Sequence, residues 1–267
     1  MKGFTFPLVV IAALGMALFA GPAQAGIIVL SNNFDGGATV GPAFQGLSNG
    51  VGTGGSGDPA TGVIITGAWG SSARGLNTES ALDLSGYTEF TIDWVVSVAS
   101  NVGSIEANGW FFGVTSSTAT DADGLWNNNP ARPAVGLLML SPSWDDWSLA
   151  VNNSGGIDTT RSLGGSVPTN ASFEDGFALS LTLKNDDTWS ASSTGLSNNI
   201  TNTDGTLPTG TYADLAGTVV ANTSVQGENI SYTVGSVTIT AVPEPGAWLL
   251  FLVAAACGLL VRRRRGK

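Results

Sequence analysis

The chain has 267 residues, of which 20 are acidic and 10 basic, and it contains one cysteine and no histidine. Without histidine it has no Ser-His-Asp or Cys-His nucleophile arrangement, no histidine-ligated zinc and no common general base near neutral pH. Residues 26–241 hold 19 acidic and four basic residues, a net charge of −15, which excludes nucleic-acid binding and disfavours acidic polysaccharides unless cations bridge them.

The first 25 residues have the pattern of a Sec-type signal peptide. Lys2 supplies a short positive region, residues 4–20 are apolar, and Ala23-Gln24-Ala25 fits the small-x-small cleavage pattern. We therefore expect the Sec translocon to export the chain and signal peptidase to remove residues 1–25. The alternative is a permanent N-terminal membrane helix, which a cleavage pattern directly behind the apolar region disfavours.

The body of the chain comprises residues 26–241. Its first half carries many short strand signals and almost no helix signals. Alternation of apolar and polar side chains predicts half-buried strands, and continuous apolar runs predict central ones. In chain order these signals lie at residues 26–30, at 63–66, at 90–98, at Trp110, Phe112 and Val114, at 135–140, and at Trp147, Leu149 and Val151. Residues 36–57 are rich in glycine and contain no charged residue, which predicts a flexible surface loop.

The second half of the body contains the clearest hairpin signal. Residues 177–184 alternate strictly, residues 185–188 (Asn-Asp-Asp-Thr) supply turn chemistry, and Trp189 opens the return strand. Residues 198–211 are interpreted as a second loop. The last strand, 230–241, changes phase at Gly235-Ser236, which predicts a bulge or bend. Many short strands joined by loops predict an all-β, antiparallel β-sandwich.

Four blocks of the body show a further similarity. The sequences TEFTIDWVVSVAS, NGWFFGV, LSLTLKNDDTWSAS and VGSVTIT resemble the strand pattern of concanavalin A-like lectin/glucanase jelly rolls. The resemblance lies in patterning and not in a site motif. It implies a jelly-roll sandwich for residues 26–241.

The last segment, residues 242–267, has three successive parts. Pro243, Glu244 and Pro245 hold the backbone extended, and residues 247–261 are an uninterrupted apolar stretch. As a helix this stretch measures about 22 Å, so it spans a hydrocarbon core of about 30 Å only marginally. The positive-inside rule keeps the arginines that follow in the cytoplasm. These are Arg262, Arg263, Arg264 and Arg265.

In this order, the three parts resemble the PEP-CTERM sorting signal of Gram-negative bacteria that make exopolysaccharide. The resemblance covers about the last tenth of the chain. It implies recognition by an exosortase, transient tethering in the inner membrane with the body in the periplasm, cleavage near Pro-Glu-Pro, and transfer to the cell surface or extracellular matrix. The alternative is an ordinary single-pass C-terminal anchor.

Two polar constellations are candidate binding sites. Asp121, Asp123 and Asn127 surround a glycine turn and offer the oxygen ligands that calcium prefers, although a solvated turn is the simpler interpretation of them. In the second set, aromatic rings can stack on sugars and acids can bind sugar hydroxyls. The alternative is that these residues belong to the core and to a turn. Its members are Trp144, Asp145, Asp146 and Trp147.

No catalytic residue is expected. Glycoside hydrolysis needs two facing carboxylates, and the Glu-x-Asp-x-Glu run of jelly-roll glucanases is absent. Glu89 and Asp93 come closest, and Glu106 stands alone. The sequence therefore predicts an exported, non-enzymatic sandwich protein with a structural or weak carbohydrate-binding role, associated with exopolysaccharide. The alternatives are a calcium-assisted lectin and a polysaccharide-active hydrolase or lyase.

Overall fold

The fold is taken from a computed structural model. It describes residues 25–34, 39–48, 63–66, 74–98, 107–116, 133–139, 147–153, 156–164, 176–196, 199–201, 203–227 and 231–244. Within these ranges no helix has the length and apolar character needed to cross a membrane. The predicted signal peptide up to residue 24 and the predicted helix 247–261 lie outside the described residues.

Two antiparallel sheets pack face to face. Sheet A has the strand order β1-β14-β5-β10-β11-β12, with β3 paired to β14 on the same side as β1. Its strands are β1 (Ile27–Asn32), β3 (Val63–Thr66), β5 (Tyr87–Val98), β10 (Phe177–Lys184), β11 (Thr188–Thr194), β12 (Asp204–Thr206) and β14 (Ser231–Pro243).

Sheet B has the order β2-β4-β13-β6-β7-β8-β9. Its strands are β2 (Phe44–Ser48), β4 (Arg74–Thr78), β6 (Ala107–Thr115), β7 (Ala134–Met139), β8 (Trp147–Asn153), β9 (Gly156–Gly164) and β13 (Val220–Gly227). All the pairings in both sheets are antiparallel, so the predicted sandwich is confirmed.

The strongest sequence signals correspond to real strands. On β5 and β10 apolar residues are buried at every second position, as a half-buried strand requires. The predicted hairpin is the pair β10–β11, in which Leu183 lies opposite Trp189. Strand β14 shifts register between Thr233 and Ser236, so the predicted bulge is confirmed. The run 135–140 corresponds to β7, which pairs with β8 as expected.

Two predicted loops contain regular structure. The glycine-rich segment 36–57 includes β2, which is held in sheet B because Phe44 is buried in the core beside the ring of Phe34. The tract 198–211 includes β12 and the start of a helix, α1 (Thr211–Ala216). Strands β4, β9 and β13 were not predicted, since their apolar positions are few and are interrupted by Asn, Ser and Thr.

The main core lies between the sheets. Its largest fully buried rings include Trp94, Trp189, Phe90 and Phe112, and Trp94 packs edge-on against Phe112 with ring centres 6.0 Å apart. Helix α1 closes one end, where the ring of Tyr212 lies 5.6 Å from that of Phe90. The buried apolar side chains of the described strands therefore fill the space between the two sheets.

Candidate functional site

The sites predicted from sequence mostly cannot be placed. Asp121, Asp123 and Asn127 lie outside the described residues, and so do Trp144, Asp145 and Asp146. Trp147 begins β8, opposite Met139 of β7, but only its backbone is described. The arginines 262–265 and Pro245 are likewise outside the described part. Both predicted binding constellations remain predictions.

The outer face of sheet B is buried at the centre of the sheet. Phe111, Ala134, Leu138 and Ala150 are buried there as a second apolar cluster, separate from the main core. The ring of Phe111 lies where a side chain on Gly113 or Gly136 would project, since its Cζ is 2.5 Å from the Cβ position of each. Strand β6 therefore buries both of its faces, and this part of sheet B offers no open polar surface.

The outer face of sheet A is open and hydroxylated. The outward positions of β10 and β11 include Ser180, Thr182, Ser190 and Ser192, all of them half-buried or exposed. With β12 they form a groove of about 310 Å³, which we name the hydroxyl groove. It is lined by Ser180, Thr182, Ser190, Ala191, Ser192, Thr203 and Asp204.

Several acidic side chains are committed to local structure. Asp83 and Asp186 each accept a backbone and a hydroxyl hydrogen bond two residues further on, and the pKa of each is lowered by those bonds, chiefly the hydroxyl bond. Asp187 caps α1. On the outer face of sheet A, by contrast, Asp93 lies between Thr238 and Ser180 of the neighbouring strands, and Asp204 is exposed at the groove's edge. These two carboxylates can accept hydrogen bonds from a ligand.

The spacing of the acids on this face does not suit glycoside hydrolysis. Glu89 and Asp93 do share the outer face of β5, as predicted, but four residues along a strand separate them by about 13 Å. Catalytic pairs stand roughly 5–9.5 Å apart. Glu89 is also paired with Lys184 at 3.6 Å. Glu89 and Asp93 therefore do not form a hydrolytic pair, and Glu106 lies outside the described residues.

A metal site cannot be built from the part of the chain that the structure describes. No group of three or more acidic, cysteine or histidine residues comes together there. Hard cations such as calcium need clustered carboxylate and carbonyl oxygens. The described residues thus offer no acidic cluster for calcium, and the predicted ligands Asp121, Asp123 and Asn127 lie outside the described ranges.

The first part of the predicted sorting motif is attached to the sandwich. Strand β14 continues beyond Ala241 to Pro243, which lies opposite Tyr87, and the N–H of Glu244 donates to the carbonyl of Gly86 at 3.0 Å. Burial raises the pKa of Tyr212 to about 12, and the negative charges of Glu244 and Glu89 add to the rise. Glu244 is exposed, so its carboxylate remains accessible at the edge of the body.

Sequence reasoning missed the hydroxyl groove, although a signal for it was present. In the strict alternation of residues 177–184, the apolar positions predict the strand, and they form part of the core. The outward positions between them carry hydroxyl side chains, which are Ser180 and Thr182 on β10 and Ser190 and Ser192 on β11. Only the pairing of β10 with β11, and of β11 with β12, brings these hydroxyls next to Asp204.

The sequence matches no family model and no curated protein. Solved structures do match in fold. The carbohydrate recognition domain of Emp47p gives a TM-score of 0.54 at 14% identity, over 83% of this chain and 99% of that one. A lectin from Bauhinia forficata, solved in complex with GalNAc, gives 0.52 at 13% identity, over 80% and 98%. The exoplasmic/lumenal domain of VIP36 in a Ca²⁺/Man-bound form gives 0.50 at 12%, over 80% and 91%.

At these identities the likeness concerns the fold. All three matched structures are legume-lectin-like, concanavalin A-like jelly-roll domains, and each is covered over more than nine-tenths of its length. The predicted jelly-roll architecture is thereby confirmed for the body. The chain has a legume-lectin-like fold, with an open hydroxylated face on sheet A.

Proposed function

We propose that the protein is an exported, non-enzymatic, lectin-like protein that binds carbohydrate through the hydroxyl groove. The observation that carries the proposal is the composition of the groove wall, in which Ser180, Thr182, Ser190 and Ser192 line the groove together with the edge carboxylate of Asp204. Hydroxyl side chains both donate and accept hydrogen bonds, as sugar hydroxyls do. The fold shared with lectins supports this class of ligand.

The test is a calorimetric titration of the full chain, kept in a detergent without a sugar headgroup. The ligands are neutral six-residue oligosaccharides from cellulose, amylose and mannan. Losing one hydrogen bond to a hydroxyl costs about 1 kcal/mol, so Ser190→Ala should weaken binding roughly fivefold. Asp204→Asn should weaken it more, because hydrogen bonds to a charged group are stronger.

The matched control is Thr218→Val, which removes an exposed hydroxyl just beyond α1, outside the groove. It should bind like the unmodified chain. All three variants should keep the melting temperature, since none of these side chains belongs to the core. If none of the oligosaccharides binds, or if the groove variants bind as tightly as the control, this function is rejected.

We further propose that residues 242–267 act as an exosortase-processed sorting signal. The proposal rests on the order Pro-Glu-Pro, apolar stretch and arginines, and the exposed position of Glu244 at the body's edge supports it. Processing would place the protein at the cell surface or in an exopolysaccharide matrix. Glu244→Ala should leave uncut precursor in the inner membrane, and normal release of this variant in a fractionation experiment would contradict the proposal.

A calcium-assisted form of the lectin proposal uses Asp121, Asp123 and Asn127, with Trp144 and Trp147 as stacking groups. The Ca²⁺/Man-bound form of a structural neighbour supports considering it. It requires that calcium raise the melting temperature and that Asp123→Asn abolish the rise. A flat calcium titration of the unmodified chain would dismiss it while leaving the hydroxyl groove proposal intact.

A further inference from the structure

The hydroxyls of sheet A extend well beyond the groove in two rows. The first row crosses five strands in direct register, and it consists of Thr240, Thr91, Thr182, Ser190 and Asp204. The second row lies two residues further along each strand, and it consists of Ser31, Thr238, Asp93, Ser180 and Ser192. We name these two rows together the hydroxyl track.

The dimensions of the track suit a ligand longer than one sugar. Neighbouring strands are about 4.8 Å apart, so the first row measures about 19 Å from Thr240 to Asp204. The two rows run side by side about 7 Å apart, since each step along a strand is about 3.3 Å. The hydroxyl groove occupies only the β10–β12 end of this surface. The remainder of the track carries the same kinds of side chain.

The borders of the track restrict its ligand. On one side stands the Lys184–Glu89 ion pair, and on the other the exposed side chain of Val95. Beyond Thr240 the first row ends at Ile28, which is 56% exposed and can pack against the apolar face of a sugar ring. The charged groups within the rows are carboxylates, and the body as a whole carries −15. An acidic polymer is repelled by such a surface.

We infer that the hydroxyl track binds a neutral, linear polysaccharide that lies across strands β14, β5, β10, β11 and β12. The inference rests on the proposed carbohydrate binding and extends it from a single pocket to a polymer site. In the first row, side-chain hydroxyls in register repeat the same donor and acceptor pattern on β14, β5, β10 and β11, and Asp204 on β12 adds an acceptor. Thr91 and Thr182, whose Oγ1 atoms share a 2.8 Å hydrogen bond, link the pocket end to the Thr240 end.

The experiment compares two-residue and six-residue oligosaccharides of the same neutral series, titrated into the full chain under the conditions above. The six-residue ligand should bind at least tenfold more tightly than the two-residue ligand. Thr240→Val keeps the shape of the side chain but removes its hydroxyl at the far end of the track. It should weaken the six-residue ligand about threefold or more and leave the two-residue ligand unchanged, whereas Ser190→Ala should weaken both.

The outcomes separate this inference from the proposed function. If both ligand lengths bind with equal affinity, Thr240→Val has no effect and Ser190→Ala weakens binding, the polymer site is rejected. Carbohydrate binding in the hydroxyl groove is then still supported. If the acidic ligand hexagalacturonate binds more tightly than the neutral six-residue ligands, the inference that the polysaccharide is neutral is contradicted. A cross-linked dimer that Thr91→Arg abolishes would assign the face to a second copy and overturn the inference. Absence of all binding would reject both proposals.

Discussion

Asp187 holds the helix that closes the sandwich, although the two are more than 20 residues apart in the chain. Its Oδ2 accepts a hydrogen bond from the N–H of Gly210 at 2.6 Å, and its Oδ1 accepts one from the N–H of Tyr212 at 2.8 Å. These donors belong to the start of α1, where backbone N–H groups lack partners within the helix. The β10–β11 turn thus supplies the cap that α1 lacks locally, since Gly210 has no side chain to do so.

We expect Asp187→Ala to lower the free energy of unfolding by about 3 kcal/mol or more. Hydrogen bonds to a charged group contribute about 1.5–3 kcal/mol each, and alanine is also strained at the positive φ of 59° found here. Asp187→Asn should cost less, because asparagine tolerates this φ and keeps one acceptor oxygen. Urea unfolding measures the difference. The exposed helix residue Asp214 supplies the control, since Asp214→Ala should change stability by less than about 0.5 kcal/mol.

The hydroxyl of Tyr212 predicts a loss of stability at high pH. It donates to the carbonyl of Tyr87 at 2.8 Å, and its pKa is raised to about 12 from an ordinary value of about 10. Between these two values the folded chain binds more protons than the unfolded chain, so the free energy of unfolding falls as pH rises. The contribution is complete below about pH 10 and is lost as pH rises through about 12.

Two variants isolate this effect in unfolding experiments between pH 9 and 12. Tyr212→Phe should cost about 1 kcal/mol at pH 8 through the lost hydrogen bond, and its decline above pH 10 should be shallower than that of the unmodified chain. Glu244→Gln removes one nearby negative charge and should lower the pKa of Tyr212. An identical pH profile for Tyr212→Phe and the unmodified chain would contradict the assignment.

The glycines under Phe111 predict a specific pattern of rescue. A Cβ on Gly136 would meet the Phe111 ring and the Cα of Gly113, whereas a Cβ on Gly113 would also meet the backbone carbonyl of Val135. Overpacking of this kind costs about 1–3 kcal/mol. Gly136→Ala should therefore be destabilising in the unmodified chain and only partly rescued in a Phe111→Ala background, because the contact with the Cα of Gly113 remains. Gly113→Ala should be rescued less, because two backbone atoms, the carbonyl oxygen of Val135 and the Cα of Gly136, remain in contact with the new Cβ.

How much of the fold follows from sequence depends on how each strand is buried. Strand β10 buries one face only, so its alternation predicted it correctly. Strand β6 was predicted from Trp110, Phe112 and Val114, yet Phe111 is buried as well, on the outer face. Strand β13 is central in sheet B but reads VANTSVQG, and its place is set by pairing with β4 and β6. Such tertiary pairing leaves no periodic signal in one sequence.

The candidate site was less predictable than the fold. Serine and threonine on β10 and β11 look like an ordinary solvated face until the register places Ser190 between Thr182 and Asp204. The sequence therefore directed attention to aromatic and acidic clusters, whose chemistry is visible locally. A site made of many weak hydrogen-bonding groups depends on register and sheet order, which emerge only from the assembled fold.

The overlap of the sorting motif with β14 predicts an effect on processing. Before an enzyme can bind Pro243 and Glu244 as a free extended peptide, the Glu244 hydrogen bond to Gly86 and the 3.3 Å bond from the Thr88 hydroxyl to the Val242 carbonyl must open. Each bond contributes about 1 kcal/mol, so freeing the motif should speed processing up to roughly fivefold per bond where binding of the motif is limiting. A Gly-Gly-Ser-Gly spacer inserted between Val242 and Pro243 should therefore accelerate loss of the precursor in a pulse-chase experiment. The same spacer between Gly246 and Ala247 leaves the motif on the sheet and should give no acceleration. Equal rates for the two insertions would mean that the body does not compete with the processing enzyme for its own motif.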